Sequence, residues 1–157
     1  MADHSERRYG VAAPEEIAGL SGRQVLEAMI VGKLPAPPMA KTLAFSLIEV
    51  GDGLAVFEGE PSEAVLNPMG VVHGGWALTL IDSAAGCAAM TLLPAGGAYT
   101  TIETKVNFSR PILKDTGLVR AEARVLSSGR RIMSADARLT DARGRLLAHG
   151  TSTLMVL

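Results

Sequence analysis

The sequence is short of the residues on which many site chemistries depend. Among its 157 residues there is one cysteine, Cys87, and there are three scattered histidines, His4, His73 and His149. A single cysteine excludes an intrachain disulfide and a four-thiolate metal site, and three isolated histidines make no ligand cluster, so no metal is expected. Aromatic residues make up only 4% of a chain that is 48% hydrophobic. The core therefore has to be built from Ala, Val, Leu, Ile and Met. An excess of one charge is missing as well: 15 basic and 16 acidic residues leave a formal net charge of −1. A nucleic-acid partner, which calls for a basic surface, is not expected. The first 14 residues carry early charges but no continuous apolar segment, unlike a secretory signal. The nearest approach to a membrane span, Trp76 to Leu93, is broken by Thr79, Asp82, Ser83, Gly86 and Thr91. A carboxylate at mid-bilayer is expensive, so this stretch reads as a buried helix and no membrane contact is expected. With so little cysteine, a reducing, cytoplasmic compartment is the default.

What is present reads as one domain of 21–157 behind a polar, mobile arm of 1–20. Ser21 is placed to cap a short helix over about 21–32, in which Val25, Leu26, Met29 and Ile30 recur at helical spacing. Leu34-Pro35-Ala36-Pro37-Pro38 ends it as an extended connector. Strand-like runs over 42–50 and 54–60 flank Gly51-Asp52-Gly53, a hairpin signal. A loop then leads to a long helix of small residues over about 74–93, stopped by Pro94-Ala95-Gly96-Gly97. Four further strands, over 99–108, 118–126, 131–140 and 146–156, read as a meander with one apolar face. In the second of them Val119, Ala121, Ala123 and Val125 alternate with Arg120, Glu122 and Arg124. The fold class is thus α+β, one long helix against a six-stranded antiparallel sheet.

The densest polar signal lies at the entry to that helix, Asn67-Pro68-Met69-Gly70-Val71-Val72-His73-Gly74-Gly75, followed by Asp82. Two glycines at a helix start leave backbone N–H groups unshielded at the positive end of the dipole, where they can polarise a carbonyl oxygen. They equally suit a tight turn and close packing. Asp82 interrupts an apolar helix, which marks it as a candidate base or nucleophile, or as a carboxylate on a helix rim. It lies eight residues beyond Gly74, roughly 12 Å along a helix, too far for both groups to act on one carbonyl. Two antiparallel copies of the helix would bring Gly74 of one chain near Asp82 of the other, so joint action requires a dimer. His73 is a candidate general base, or a residue that holds the loop. Cys87, among Gly86, Ala88 and Ala89, reads as a core residue. Ser83 and Ser109 lack the strand-turn-helix setting of a nucleophilic serine.

The pattern N-x-x-G-x-x-H-G-G with an Asp nine residues after the His resembles the hotdog-fold acyl-CoA thioesterases of the phenylacetate-degradation type. The resemblance runs from about Leu34 to Val156 and includes Asn107-Phe108-Ser109-Arg110-Pro111 and the closing Ala148-x-Gly150. It implies a long helix wrapped by a curved sheet, with protomers joined edge to edge into a homodimer and dimers pairing into tetramers. It also implies Asp82 as base or nucleophile, the Gly74 N–H on the thioester carbonyl, Asn67 binding the carbonyl or the water, and His73 steadying the loop. The family's Ser or Thr beside the acid, counted back from Pro111, falls on Thr101, with Thr100 the other register. Gly75 is expected to contact substrate. Arg110, Lys114, Arg130 and Arg131 are candidates for the coenzyme A phosphates, with Arg130 and Arg131 preferred. The implied reaction is hydrolysis of an acyl-CoA without a metal or redox cofactor. A noncatalytic acyl-CoA-binding module is the alternative of another class. A hydratase is disfavoured because the Asp-x4-His pattern is absent.

Overall fold

The computed structural model describes residues 7–157. Four helices, α1 (Pro14–Ile17), α2 (Gly22–Ile30), α3 (Pro38–Thr42) and α4 (Gly74–Met90), accompany six strands. These are β1 (Phe45–Gly51), β2 (Leu54–Gly59), β3 (Tyr99–Phe108), β4 (Val119–Ser128), β5 (Ile132–Asp141) and β6 (Leu146–Val156). The sheet is wholly antiparallel, in the order β1-β2-β4-β5-β6-β3. The last four strands are therefore not a simple meander. After α4 the chain enters the far edge of the sheet as β3, which pairs with β6, while β4 returns to pair with β2. Local alternation places residues on a face but carries no information about which strand lies beside which.

The sheet wraps α4, and the contact is made by small residues on both sides. Ala77, Ala84, Ala85, Ala88 and Ala89 of the helix are fully buried, as are Ala121, Ala123 and Ala135 of β4 and β5. With methyl groups facing methyl groups, helix and sheet approach closely, and few aromatic rings are needed to fill the space. Phe45 and Phe57 pack edge to face at 5.7 Å beyond this zone, and Trp76 donates to the Leu43 carbonyl at 2.8 Å. Within α4 the run that suggested a membrane span carries Asp82, and no helix among the described residues is long and apolar enough to cross a membrane.

The N-terminal segment is more structured than its composition suggests. Tyr9 bridges to Ala36, the Gly10 N–H donates to the Ala36 carbonyl at 2.9 Å, and Pro14–Ile17 forms a helical turn. Residues 1–6, including His4, lie outside the described residues. Ser21 caps α2 by accepting from the Gln24 N–H, while Gln24 returns a bond to the Ser21 N–H. Residues 38–42 form α3 rather than a connector and the start of a strand, because Pro38 occupies the first helical turn where its missing N–H costs nothing.

Gly150 in β6 shows how tightly α4 and the sheet are fitted. A methyl group there would run into the Lys105 carbonyl oxygen of β3 and sit 3.2 Å from Ile81 of α4. Gly150→Ala is expected to cost about 2 kcal/mol through overpacking, read as a lower denaturant midpoint at an unchanged slope. The β5–β6 turn is fixed by Asp141, whose Oδ1 accepts from the Arg143 and Arg145 N–H groups at 3.0 and 2.9 Å and whose Oδ2 accepts from Arg145 Nε at 2.7 Å. Burial pushes this carboxyl up, but the Arg145 N–H, the Arg145 guanidinium and the Arg143 N–H outweigh it and hold it below the usual range. A depressed carboxyl stabilises the fold above its unfolded value of about 3.9 and loses that contribution as pH falls further. Asp141→Asn should therefore lower the Tm at pH 7, with the gap to wild type closing below about pH 4 in thermal melts across pH.

Candidate active site

The loop before α4 is folded around one side chain. Asn67 Oδ1 accepts from the Met69 and Val71 N–H groups at 3.0 and 3.1 Å. The Asn67 backbone closes the same turn, its N–H on the Val71 carbonyl at 2.8 Å and its carbonyl on the Gly70 N–H at 2.9 Å. Gly70, at φ 76°, supplies the left-handed residue this turn needs. The loop is tied down by the Val72 N–H on the Ile112 carbonyl at 3.0 Å and the His73 N–H on the Val65 carbonyl at 2.8 Å. With its oxygen committed, Asn67 keeps its Nδ2 hydrogens, which have no acceptor among the described residues.

His73 is the N-cap of α4, and its Nδ1 accepts from the Gly75 N–H at 2.8 Å. An imidazole that accepts at Nδ1 carries its proton on Nε2 and is neutral. Of the two roles open to His73, the geometry supports loop and helix orientation. A side chain at position 75 would place Cβ 2.9 Å from that Nδ1, so the cap requires glycine there. The Gly75 N–H is therefore already engaged: Gly75, expected to contact substrate, seats His73 and has no N–H left to offer. Gly74 is different. As the first residue of the helix it has no intrahelical acceptor, and its N–H has none among the described residues. It opens onto a cavity of about 300 Å³ lined by Val72, His73, Gly74, Phe108, Arg110 and Ile112.

Two turns further along α4, half-buried Asp82 faces β3 and β6. Thr104 Oγ1 donates to Asp82 Oδ1 at 2.9 Å and lies 2.9 Å from Ser152 Oγ, which in turn reaches the Glu103 carbonyl at 3.0 Å. The hydroxyl beside the acid is thus Thr104, not Thr101 or Thr100. The reason is a β-bulge: Thr101 pairs with Leu154 and Glu103 with Thr153, so Ile102 is an extra residue without a partner. The extra residue shifts the inward-facing set from Tyr99 and Thr101 to Thr104, Val106 and Phe108. Neither Thr104 nor Ser152 stands out in the sequence, and counting by twos through a regular strand cannot anticipate the shift.

β3 runs along α4 as a ruler. A Cβ on Gly86 would meet Tyr99, Thr104 bonds Asp82, and the Phe108 ring lies 3.0 Å from where a Gly74 Cβ would be. Four strand residues from Thr104 to Phe108 span roughly 13 Å, and eight helical residues from Gly74 to Asp82 roughly 12 Å. Within one chain, then, the free N–H and the acid are well apart. The basic candidates also divide. Arg110 lies at the cavity and donates to the Leu146 carbonyl at 2.7 Å, and Lys114 pairs with Glu63 at 3.1 Å. Arg130 and Arg131 are exposed in the β4–β5 turn. The register Ile132–Met155–Thr100 puts them at the Tyr99 end of the sheet, opposite to Gly74.

The remaining reactive groups are quiet. Burial pushes the Cys87 thiol up to about 12, with the nearby Asp82 charge adding to it, so it is no nucleophile near neutrality. Burial likewise raises Tyr99, helped by Cys87 and Asp82. Among the described residues no three His, Cys, Asp or Glu side chains group to hold a metal.

Comparison with known proteins agrees with this architecture. The family described as the thioesterase superfamily matches residues 69–148. An inferred esterase of Saccharolobus solfataricus is 32% identical over 122 residues, covering 78% of this chain and 85% of that protein. A 1,4-dihydroxy-2-naphthoyl-CoA hydrolase of Listeria monocytogenes is 27% identical over 118 residues, covering 75% and 94%. Among solved structures, a thioesterase-type, phenylacetic acid degradation-related protein of Ralstonia eutropha superposes with a TM-score of 0.76 at 28% identity, covering 83% of this chain and 98% of that one. With one long helix wrapped by a six-stranded antiparallel sheet and a family match that takes in Gly74, Asp82 and Thr104, the chain belongs to the thioesterase superfamily, as a thioester hydrolase of the hotdog fold.

Proposed function

We propose that the protein hydrolyses acyl-CoA thioesters in a homodimer, with each active site shared between two chains. One observation carries the reading: the one α4 N-terminal N–H left open among the described residues, that of Gly74, lies about 12 Å from Asp82 on the same helix, although both suit one reaction. β3 offers the means of joining them. It is a ten-residue edge strand with Ile102 and Phe108 both 54% exposed, and a long unpaired edge invites another strand. Antiparallel pairing of β3 with a partner's β3 about a twofold axis near Val106 sets residue 104 of one chain opposite residue 108 of the other. The Phe108 end, above Gly74, then meets the Thr104 end, above Asp82, twice per dimer.

In this arrangement the thioester carbonyl oxygen points at the Gly74 N–H and Asn67 Nδ2 of one chain. Asp82 of the other takes a proton from water as the water oxygen attacks the carbonyl carbon. The negative charge that develops on the carbonyl oxygen is met by the N–H and by the helix dipole, a kind of donor worth about 3 kcal/mol in the transition state. The carbon–sulfur bond then breaks, its electron pair goes to sulfur, and the proton follows to give free coenzyme A. Water, a carboxylate and a backbone N–H suffice, so no metal or redox cofactor is called for. The same pairing carries Arg130 and Arg131 of one chain toward the partner's cavity, where Arg110 lies. Together they form a basic rim suited to the phosphates of coenzyme A.

Two substitutions separate the roles. Asp82→Asn should abolish nearly all thiol release from acyl-CoA while leaving CoA-ester binding largely intact; wild-type kcat in that variant would contradict the mechanism. Gly74→Pro removes one N–H at a first helical position where proline is accepted, after a His73 already extended at ψ 132°. It should lower kcat about 100-fold or more. Gly74→Ala, which brings the same Cβ but keeps the N–H, should lose far less. Equal losses in the two Gly74 variants would assign the effect to sterics.

A further inference from the structure

Asp82 is held by two hydroxyls in series, and only the nearer one touches it. Thr104 has one hydroxyl hydrogen and two oxygens within 2.9 Å, Asp82 Oδ1 and Ser152 Oγ. Ser152, on β6 and only 2% exposed, has one hydrogen and two acceptors, Thr104 Oγ1 at 2.9 Å and the Glu103 carbonyl at 3.0 Å. An ionised carboxylate is a stronger acceptor than a neutral carbonyl, because bonds to charged groups are about twice as strong. While the acid is charged the Thr104 hydrogen goes to Asp82, so the 2.9 Å contact with Ser152 is a hydrogen bond only with Ser152 as the donor, its one hydrogen shared between Thr104 Oγ1 and the Glu103 carbonyl.

We infer that Ser152 is a positioning residue for the reaction, acting through Thr104 on Asp82. Resting on the reading of Asp82 as the base, this assigns three effects to Ser152. It anchors the Thr104 hydroxyl in the rotamer that reaches Oδ1. By donating to that hydroxyl it strengthens the bond Thr104 makes in turn. By occupying Oδ1 the pair leaves Oδ2 to take the water proton, which then follows the electron pair of the broken carbon–sulfur bond to the coenzyme A sulfur. The Ile102 bulge is what brings Thr104 into line with Ser152, since the register Thr104–Ser152 exists only beyond it.

Few other groups act on Asp82. Tyr99 of β3 and Cys87 of α4 face it and stay neutral near pH 7. The inward residues of β4 and β5, Ala121, Ala123, Ala135 and Ala137, bring no charge. Glu49, Glu58 and Glu122 bind Arg120 on the outer face, and Glu103, Lys105 and His149 are exposed.

The test is a double-mutant cycle on the full-length protein with one acyl-CoA substrate, run beside Asp82→Asn. Ser152→Ala should lower kcat about fivefold at unchanged KM and move the acidic limb of the kcat/KM profile to higher pH. Ser152→Thr should restore both. In a Thr104→Val background the Ser152→Ala effect should vanish, because its route to Asp82 is gone. Wild-type kcat and pH limb in Ser152→Ala overturn the inference while Asp82→Asn stays inactive. So does a loss that persists in full beside Thr104→Val, or one that Ser152→Thr, folded by circular dichroism, fails to rescue. An active Asp82→Asn overturns instead the reading on which it rests.

Discussion

The rest of the structure depends on how closely α4 lies against its sheet. Alanine on both sides of the contact removes the side-chain bulk that would hold helix and sheet apart, and Gly86 and Gly150 remove more at Tyr99 and at Lys105. A helix seated that firmly cannot slide or rotate. Its first N–H and the carboxylate two turns along it are thereby fixed relative to β3, at Phe108 and at Thr104. The low aromatic content of the chain agrees with this contact, which admits rings where a glycine faces them: Tyr99 at Gly86, Phe108 at Gly74 and Trp76 at Gly59.

Everything at the helix entrance follows from allocating a few hydrogen-bond donors. A helix start leaves its first N–H groups without partners. Here the His73 imidazole takes the one from Gly75, and the site keeps the one from Gly74. Asn67 divides its amide similarly, its oxygen given to the loop and its nitrogen left without an acceptor among the described residues. The acid is served from a different part of the chain, by hydroxyls on β3 and β6. Since the donors and the acid sit at separate points on one rigid helix, neither can move to meet the other. A second chain is the means the proposal gives them.

How much of this the sequence shows depends on the range of the information. The long helix, the six strands and the α+β class follow from local periodicity, and the dense polar run from Asn67 to Gly75 is visible because those residue types are out of place in an apolar setting. The arithmetic from Gly74 to Asp82 needs only the helical rise. Long-range pairing is not written in any local pattern, so the passage of β3 to the far edge, beside β6, is not legible. The bulge at Ile102 is equally silent, since Thr100, Thr101 and Thr104 look alike until the pairing with β6 shows which faces Asp82. Ser152 looks like any strand serine until Thr104 is known to lie beside it. Gly75 and Gly74 also read as a pair, and only the His73 bond separates them.

The central claim is that one active site draws on two chains, and subunit mixing tests it most directly. Gly74→Pro and Asp82→Asn chains, each inactive alone, would be co-expressed with different tags and the mixed population assayed for thiol release from acyl-CoA. In a shared site, a mixed dimer collects both lesions in one site and leaves the other intact. With random pairing, activity should then return to roughly a quarter of wild type. Activity no greater than the average of the two parents, in a preparation shown to contain mixed dimers, would contradict the account and place each complete site within a single chain.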